Sequence, residues 1–141
     1  MADLMQFDLV SPERLLASVN AISVQIPGTE GDLTAMPGHM PLITTIRPGI
    51  LTITSTEGVH KFFVTGGFAE VGENVTILAE KAIPREEISQ EEFTAMVADA
   101  ESTYIKAQDN FENEPGPVDE AAKMLSDMVA AGNEIGLNAH R

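Results

Sequence analysis

No cysteine occurs at any of the 141 positions of this chain. That excludes disulfides and thiolate metal sites, and nothing argues for an oxidising compartment. Basic side chains are scarce: 8 lysines and arginines stand against 22 aspartates and glutamates, a net charge of −14. Phosphate binding needs a basic face from which counterions are released, so nucleic acid is not expected as a partner. Direct docking on anionic lipid is disfavoured for the same reason. No apolar run approaches the length of a bilayer span, and the first residues lack the basic start and apolar core of a signal peptide. The expectation is a soluble chain with no direct membrane insertion, cytosolic unless another component holds it at a membrane. Gly-x-x-x-x-Gly-Lys-Ser/Thr and Gly-x-Gly-x-x-Gly are both missing, which removes the common phosphate cradles. The histidines His39, His60 and His140 have no companion at metal-motif spacing. No catalytic, nucleotide-binding or metal site and no cofactor is therefore expected.

What the chain does contain is 43% hydrophobic residues, enough for a real core. The length fits one ordinary domain, or a domain of about 85 residues with a smaller module. Residues 5–11 alternate apolar and polar, the period of a half-buried strand. Ser11-Pro12-Glu13-Arg14 reads as a turn. From Val19 to Ile26 strict alternation would put Ala21 with Val19 and Ser23 on one face, and Ile22, Val24 and Ile26 on the other. Further strands are expected over 50–54, 60–65, 68–71 and 75–79, the last two joined by a compact loop at Gly72-Glu73-Asn74. Short strands with frequent turn signals point to an antiparallel sandwich or barrel.

After Pro84 the period changes. Ser89-Gln90-Glu91-Glu92 has capping-box spacing, and Phe93, Met96, Val97, Ala100 and Tyr104 follow on one helical face. Asn113-Glu114-Pro115-Gly116-Pro117 ends that helix. A second helix carries Val118, Ala121, Ala122, Leu125, Met128 and Val129 on one stripe, with Gly132 and Gly136 expected to weaken its end. Two amphipathic helices with a short connection predict an antiparallel hairpin. The chain is therefore read as α+β: an antiparallel β-sandwich over residues 1–86 and a helical hairpin over 87–141. Charge divides along the same line, with a net of −4 over residues 1–85 and −10 over 86–141.

The densest punctuation lies between Gly28 and Gly49, where Gly31, Pro37, Gly38, Pro41 and Pro48 also fall. Such spacing describes stiff turns at fixed positions. Between them, residues 40–46 are apolar enough to enter a core. Asp32 and His39 in this corner have the residue types of a base and its orienter, though a proline-packed turn histidine also has a purely structural reading. Asn74-Val75-Thr76 matches a glycosylation pattern, with a hairpin asparagine as the plainer account. The pairs Glu86-Glu87 and Glu91-Glu92 fit either a cation site or solvated acids at a helix start.

Five motifs occur in order along the first unit: Pro27-Gly28-x-x-Gly31-x-Leu33, Pro37-Gly38-His39-x-Pro41-Leu42, Arg47-Pro48-Gly49, Gly66-Gly67-Phe68-x-Glu70-Val71 and Val75-Thr76-Ile77-Leu78-Ala79. Together they resemble the epsilon subunit family of bacterial F-type ATP synthases, called delta in mitochondria. The resemblance covers nearly the whole chain and implies a sandwich of about ten strands followed by the hairpin. It also implies a non-catalytic subunit of the rotating central stalk, peripheral to the cytoplasmic face of the bacterial inner membrane. Its partners would be the gamma subunit and the c-ring, with the catalytic alpha/beta head as a further candidate. The interface it implies falls on Glu30, Gly31, Asp32, Met36, Pro37, Gly38, His39, Pro41 and Leu42. The family's nucleotide motif, Asp-x-x-Arg-Ala, meets Ser89-Gln90-Glu91-Glu92-Phe93 here, with Glu92 in place of the arginine. The hairpin offers only Lys106, Lys123 and Arg141 as basic residues. A weak or absent inhibitory role is therefore expected, and the alternative is a nucleotide-sensing regulator of hydrolysis acting through these helices.

Overall fold

The computed structural model describes residues 3–111 and 114–138. Asn113, His140 and Arg141 lie outside the described residues. The chain divides into two compact units, residues 1–86 and 87–141.

The first unit holds nine strands among its described residues: β1 (Met5–Val10), β2 (Leu15–Gly28), β3 (Gly31–Ala35), β4 (Leu42–Ile46), β5 (Gly49–Ser55), β6 (Gly58–Val64), β7 (Gly67–Val71), β8 (Val75–Ala79) and β9 (Ala82–Pro84). They form the expected sandwich, hydrogen-bonded in the order β1-β8-β7-β4-β2-β5-β6-β9. β3 lies beside β2, and β1 also pairs with β2. Every pairing is antiparallel except β1 with β8, which is parallel. Alternation is clearest in β1, where Met5, Phe7 and Leu9 point inward, and in β8, where Val75, Ile77 and Ala79 do so. They meet Val24, Ile26, Leu51, Ile53, Val64, Ala69 and Val71 in one continuous core. Burying a side chain of this size is worth about 1.5–3 kcal/mol each.

Strand β2 departs from strict alternation. Its register shifts between Ala21 and Ser23 where it pairs with β5, a bulge that reverses which residues face inward. Ala21, Val24 and Ile26 are consequently all buried, whereas Ile22 is only half-buried. The bulge lets one long strand serve β1 with its first half and β3 and β5 with its second. The stretch rich in glycine and proline contains two strands, β3 and β4, that turn signals had hidden. Residues 40–46 do not enter the core as a block. Only Ile46 is buried, while Met40, Leu42 and Ile43 are exposed.

Loops close as their residues dictate. Ser11 N–H donates to the Arg14 carbonyl at 2.9 Å across the expected turn. The β7–β8 loop closes by Gly72 N–H to the Asn74 carbonyl at 3.0 Å. The Asn74 side-chain oxygen accepts from Gln6 N–H at 3.3 Å, tying this loop to β1.

The second unit is a hairpin of α1 (Gln90–Asn110) and α2 (Pro115–Glu134). Ser89 caps α1: its Oγ accepts from Glu92 N–H at 3.0 Å and donates to the Glu92 carboxylate at 3.4 Å. Phe93, Met96, Val97 and Ala107 are the buried residues of α1, with Ala100 and Tyr104 half-buried beside them. On α2, Ala121, Met128, Ala131 and Gly132 are buried. Helix α2 continues through Gly132 to Glu134. A Cβ built at Gly132 would lie 2.0 Å from Cζ of Phe93, so the missing side chain is what lets the ring pack. Gly136, at φ +85, ends the helix in a Schellman motif. Leu137 N–H donates to the Gly132 carbonyl at 2.8 Å and Gly136 N–H to Asn133 at 3.2 Å. Gln90 then fastens the tail: its Nε2 donates to the Asn138 carbonyl at 2.6 Å, and its Oε1 accepts from Asn138 N–H at 3.2 Å.

Candidate functional site

The candidate interface gathers at one corner of the sandwich, where the β2–β3 hairpin stands beside β4. Gly28 pairs with Gly31, so Thr29 and Glu30 form a two-residue loop at the tip. Thr29 N–H donates to the Thr45 carbonyl at 3.0 Å, and the two threonine hydroxyls bond at 2.6 Å. Arg47 completes the brace. Its backbone N–H donates to the Pro27 carbonyl at 2.9 Å, and its Nε donates to the Gly28 carbonyl at 3.2 Å. The same guanidinium pairs with the Asp32 carboxylate.

Asp32 is three-quarters exposed and Arg47 about one-quarter, so water screens the pair. Exposed pairs of this kind are worth about 0–1 kcal/mol. The brace therefore aims the carboxylate more than it stabilises the fold. Glu30 and Gly31 are exposed beside it.

A second turn follows directly. Met36 accepts from His39 N–H at 3.0 Å across Pro37 and Gly38. Proline at the second position and glycine at φ +87 in the third are the type II combination, which a side chain at Gly38 would strain. His39 Nδ1 bonds to the Met40 carbonyl at 2.6 Å. Asp32 and His39 thus have separate partners, Arg47 and the Met40 carbonyl, and the structure does not join them as base and orienter. Among the described residues no group of three His, Asp or Glu side chains converges to hold a metal ion.

Between the β2–β3 tip and β4 runs an open groove of about 400 Å³. Thr29, Thr44 and Thr45 supply its polar wall, and Leu33, Leu42 and Ile43 its apolar one. Leu42 and Ile43 are 40% and 72% exposed. Pro41 is exposed as well, while Pro37 and His39 are half-buried. The nine expected residues lie on the tip and first residues of the β2–β3 hairpin, in the turn after β3 and at the start of β4, and most of them are exposed. The groove joins Glu30, Gly31, Asp32 and Leu42 directly.

Sequence reasoning missed two parts of this surface. Arg47 belonged to a motif, but its role as the brace of Asp32 follows only from the fold. A lone cation at the end of an acid-bearing, turn-rich stretch was the signal available. The second missed part is a row of side chains crossing the outer face of the sandwich. Register aligns Thr45 with Phe68, Phe68 with Leu78, Leu78 with Val10, and Val10 with Leu15. Phe68, Leu78 and Leu15 are each more than half exposed. The parallel row, Ile43-Glu70-Thr76-Asp8-Ser18, is mostly polar. Exposed apolar side chains aligned in this way make a candidate contact surface.

Residues 4–85 match the family described as ATP synthase, Delta/Epsilon chain, beta-sandwich domain. The chain is 51% identical over 138 residues to the ATP synthase epsilon chain of Ruegeria sp. (strain TM1040), covering 97% of this chain and all of that one. It is 54% identical to the ATP synthase epsilon chain of Rhodobacter capsulatus, with the same coverage. Among solved structures, it resembles a chain of the Euglena gracilis mitochondrial ATP synthase OSCP/F1/c-ring structure. That match has a TM-score of 0.65 and 21% identity, over 89% of this chain and 77% of the other. A chain of the Tetrahymena thermophila mitochondrial ATP synthase central stalk/c-ring structure gives 0.59 and 18%, over 92% and 94%. At those identities the structural likeness speaks for the fold. No helix among the described residues is long and apolar enough to cross a membrane.

Proposed function

The chain belongs to the ATP synthase delta/epsilon family, and from that premise we propose that it is a non-catalytic subunit of the central stalk. In this reading it joins the gamma subunit to the c-ring and helps carry rotation between proton flow and ATP synthesis. It is held at the cytoplasmic face of the bacterial inner membrane only through the complex.

The observation that carries the reading is the braced corner. Arg47, the Thr29–Thr45 pair and the type II turn hold Glu30, Asp32 and His39 on backbone that is already ordered. A rigid contact surface loses little conformational freedom on binding, which suits a joint that must transmit torque. The carboxylates accept hydrogen bonds from polar or basic loops of the ring. The apolar row from Phe68 to Leu15 adjoins this corner along β4 and is the surface we assign to gamma. The acidic hairpin lacks the basic residues that engagement of an acidic catalytic-head segment would need, so it acts as a stabiliser with little or no braking role.

The experiment is reconstitution of a synthase stripped of this subunit. Added chain restores gamma–ring attachment and proton-coupled ATP synthesis. Full coupling without the chain would contradict the proposal.

A further inference from the structure

We propose that Met36 and Met40 form an oxidation site through which hydroperoxides block docking of the unassembled subunit. The inference rests on the reading of the corner as the ring contact. The described methionines fall into two groups. Met5, Met96 and Met128 are 2%, 8% and 7% exposed. Met36 and Met40 are 53% and 79% exposed, and Met124, on α2, is 46%. Susceptibility of a thioether follows its access to oxidant, so Met36 and Met40 are the accessible sulfurs among the described residues of the sandwich.

The turn depends on the backbone of these residues and not on their side chains. The Met36 carbonyl accepts from His39 N–H, and the Met40 carbonyl is held by the His39 ring. Oxidation therefore changes the surface and leaves the turn in place. In the reaction a sulfur lone pair attacks the terminal peroxide oxygen and the O–O bond breaks. A sulfur–oxygen bond forms, the proton on the transferred oxygen passes to the departing oxygen, and that fragment leaves as the alcohol, or as water from hydrogen peroxide. Sulfur loses two electrons and the peroxide gains them.

The product is a polar hydrogen-bond acceptor where an apolar contact stood. Met36 and Met40 flank the turn that leads into exposed Leu42 and Ile43, so docking of this exposed apolar stretch would bury the sulfoxides in apolar surroundings. Glu30 and Asp32 are already acceptors, and two more leave the contact short of donors. Sulfoxide reductases reverse the change, which makes it a reversible gate on assembly.

The test treats the full chain with hydrogen peroxide, maps oxidation by peptide mass spectrometry, and measures attachment to synthase lacking this subunit. Met36 and Met40 should oxidise severalfold faster than Met5, Met96 and Met128, with circular dichroism unchanged. Attachment should weaken roughly tenfold and recover with methionine sulfoxide reductase. A Met36→Leu/Met40→Leu variant should attach equally before and after peroxide, whereas Met124→Leu should remain peroxide-sensitive. Undiminished attachment of protein oxidised at both positions would overturn the inference, as would equal oxidation of the buried methionines. Asp32→Lys separates the two readings. If it weakens attachment while oxidation does not, only the oxidation gate fails. If it attaches normally, the corner is not the contact and both fail.

Discussion

Gly132 sets two magnitudes against each other. Alanine is a better helix former than glycine by about 0.8–1.0 kcal/mol, so propensity alone makes Gly132→Ala stabilising. The added Cβ would meet the Phe93 ring at 2.0 Å, however, and ring carbons cannot give way as the end of a flexible chain would. Overpacking costs about 1–3 kcal/mol, and Phe93 is fully buried with nowhere to move. We expect the variant's hairpin to melt several degrees lower, followed by helical circular dichroism on heating. A higher melting temperature would mean that Phe93 is loosely held. The same scale explains why the corner was only half legible. Leu42 and Ile43 have the composition of core residues, and composition does not distinguish a core from a contact surface. Pairing decides it: β4 lies on β7 with Ile43 opposite Glu70, on the outward face.

At the scale of elements, the helices were legible because a helical period, a cap and a breaker agree. Ser89 lies where the spacing placed it, and its hydroxyl takes the Glu92 N–H. Removing it in Ser89→Ala should cost about 1 kcal/mol, while Ser89→Asp should be nearly neutral because a carboxylate caps equally well. Chemical denaturation followed at a helical wavelength checks both, and equal loss in the two variants would show that the serine acts otherwise. The strands were less legible for physical reasons. β3 and β4 are five residues each and bounded by glycine and proline, so the turn signal outweighed the strand signal. The bulge in β2 carries no mark in the local sequence, since Ala21-Ile22-Ser23 alternates like any strand. Its cause is long-range, the need for one strand to meet β1, β3 and β5.

On the scale of the whole molecule, charge separates the two units. Residues 86–141 carry a net −10, and among the described hairpin residues the basic side chains are Lys106 and Lys123. Lys123 is paired with Asp127 at 2.9 Å. On the proposed reading an inhibitory hairpin would have to approach an acidic segment of the catalytic head, and like charges brought together there cost several kcal/mol. Deleting residues 87–141 should therefore change ATP hydrolysis by the assembled enzyme by less than about twofold, because a hairpin kept out by that penalty applies no brake that its removal could release. A severalfold rise at unchanged subunit composition would identify the hairpin as a brake.

The central claim, that the braced corner holds the ring, is tested most directly by the affinity of the full chain for its stripped synthase before and after Asp32→Lys with His39→Ala. Asp32 is an exposed residue of β3 and not, as its sequence surroundings suggest, of a turn, and His39 closes the turn that follows, so neither replacement removes a core contact and the fold should lose little. The account predicts a folded variant whose attachment weakens by about 1–3 kcal/mol, roughly five- to a hundredfold. Binding to isolated gamma should be unchanged, because the row from Phe68 to Leu15 is intact. A folded double variant that attaches to the ring as tightly as the parent would contradict it.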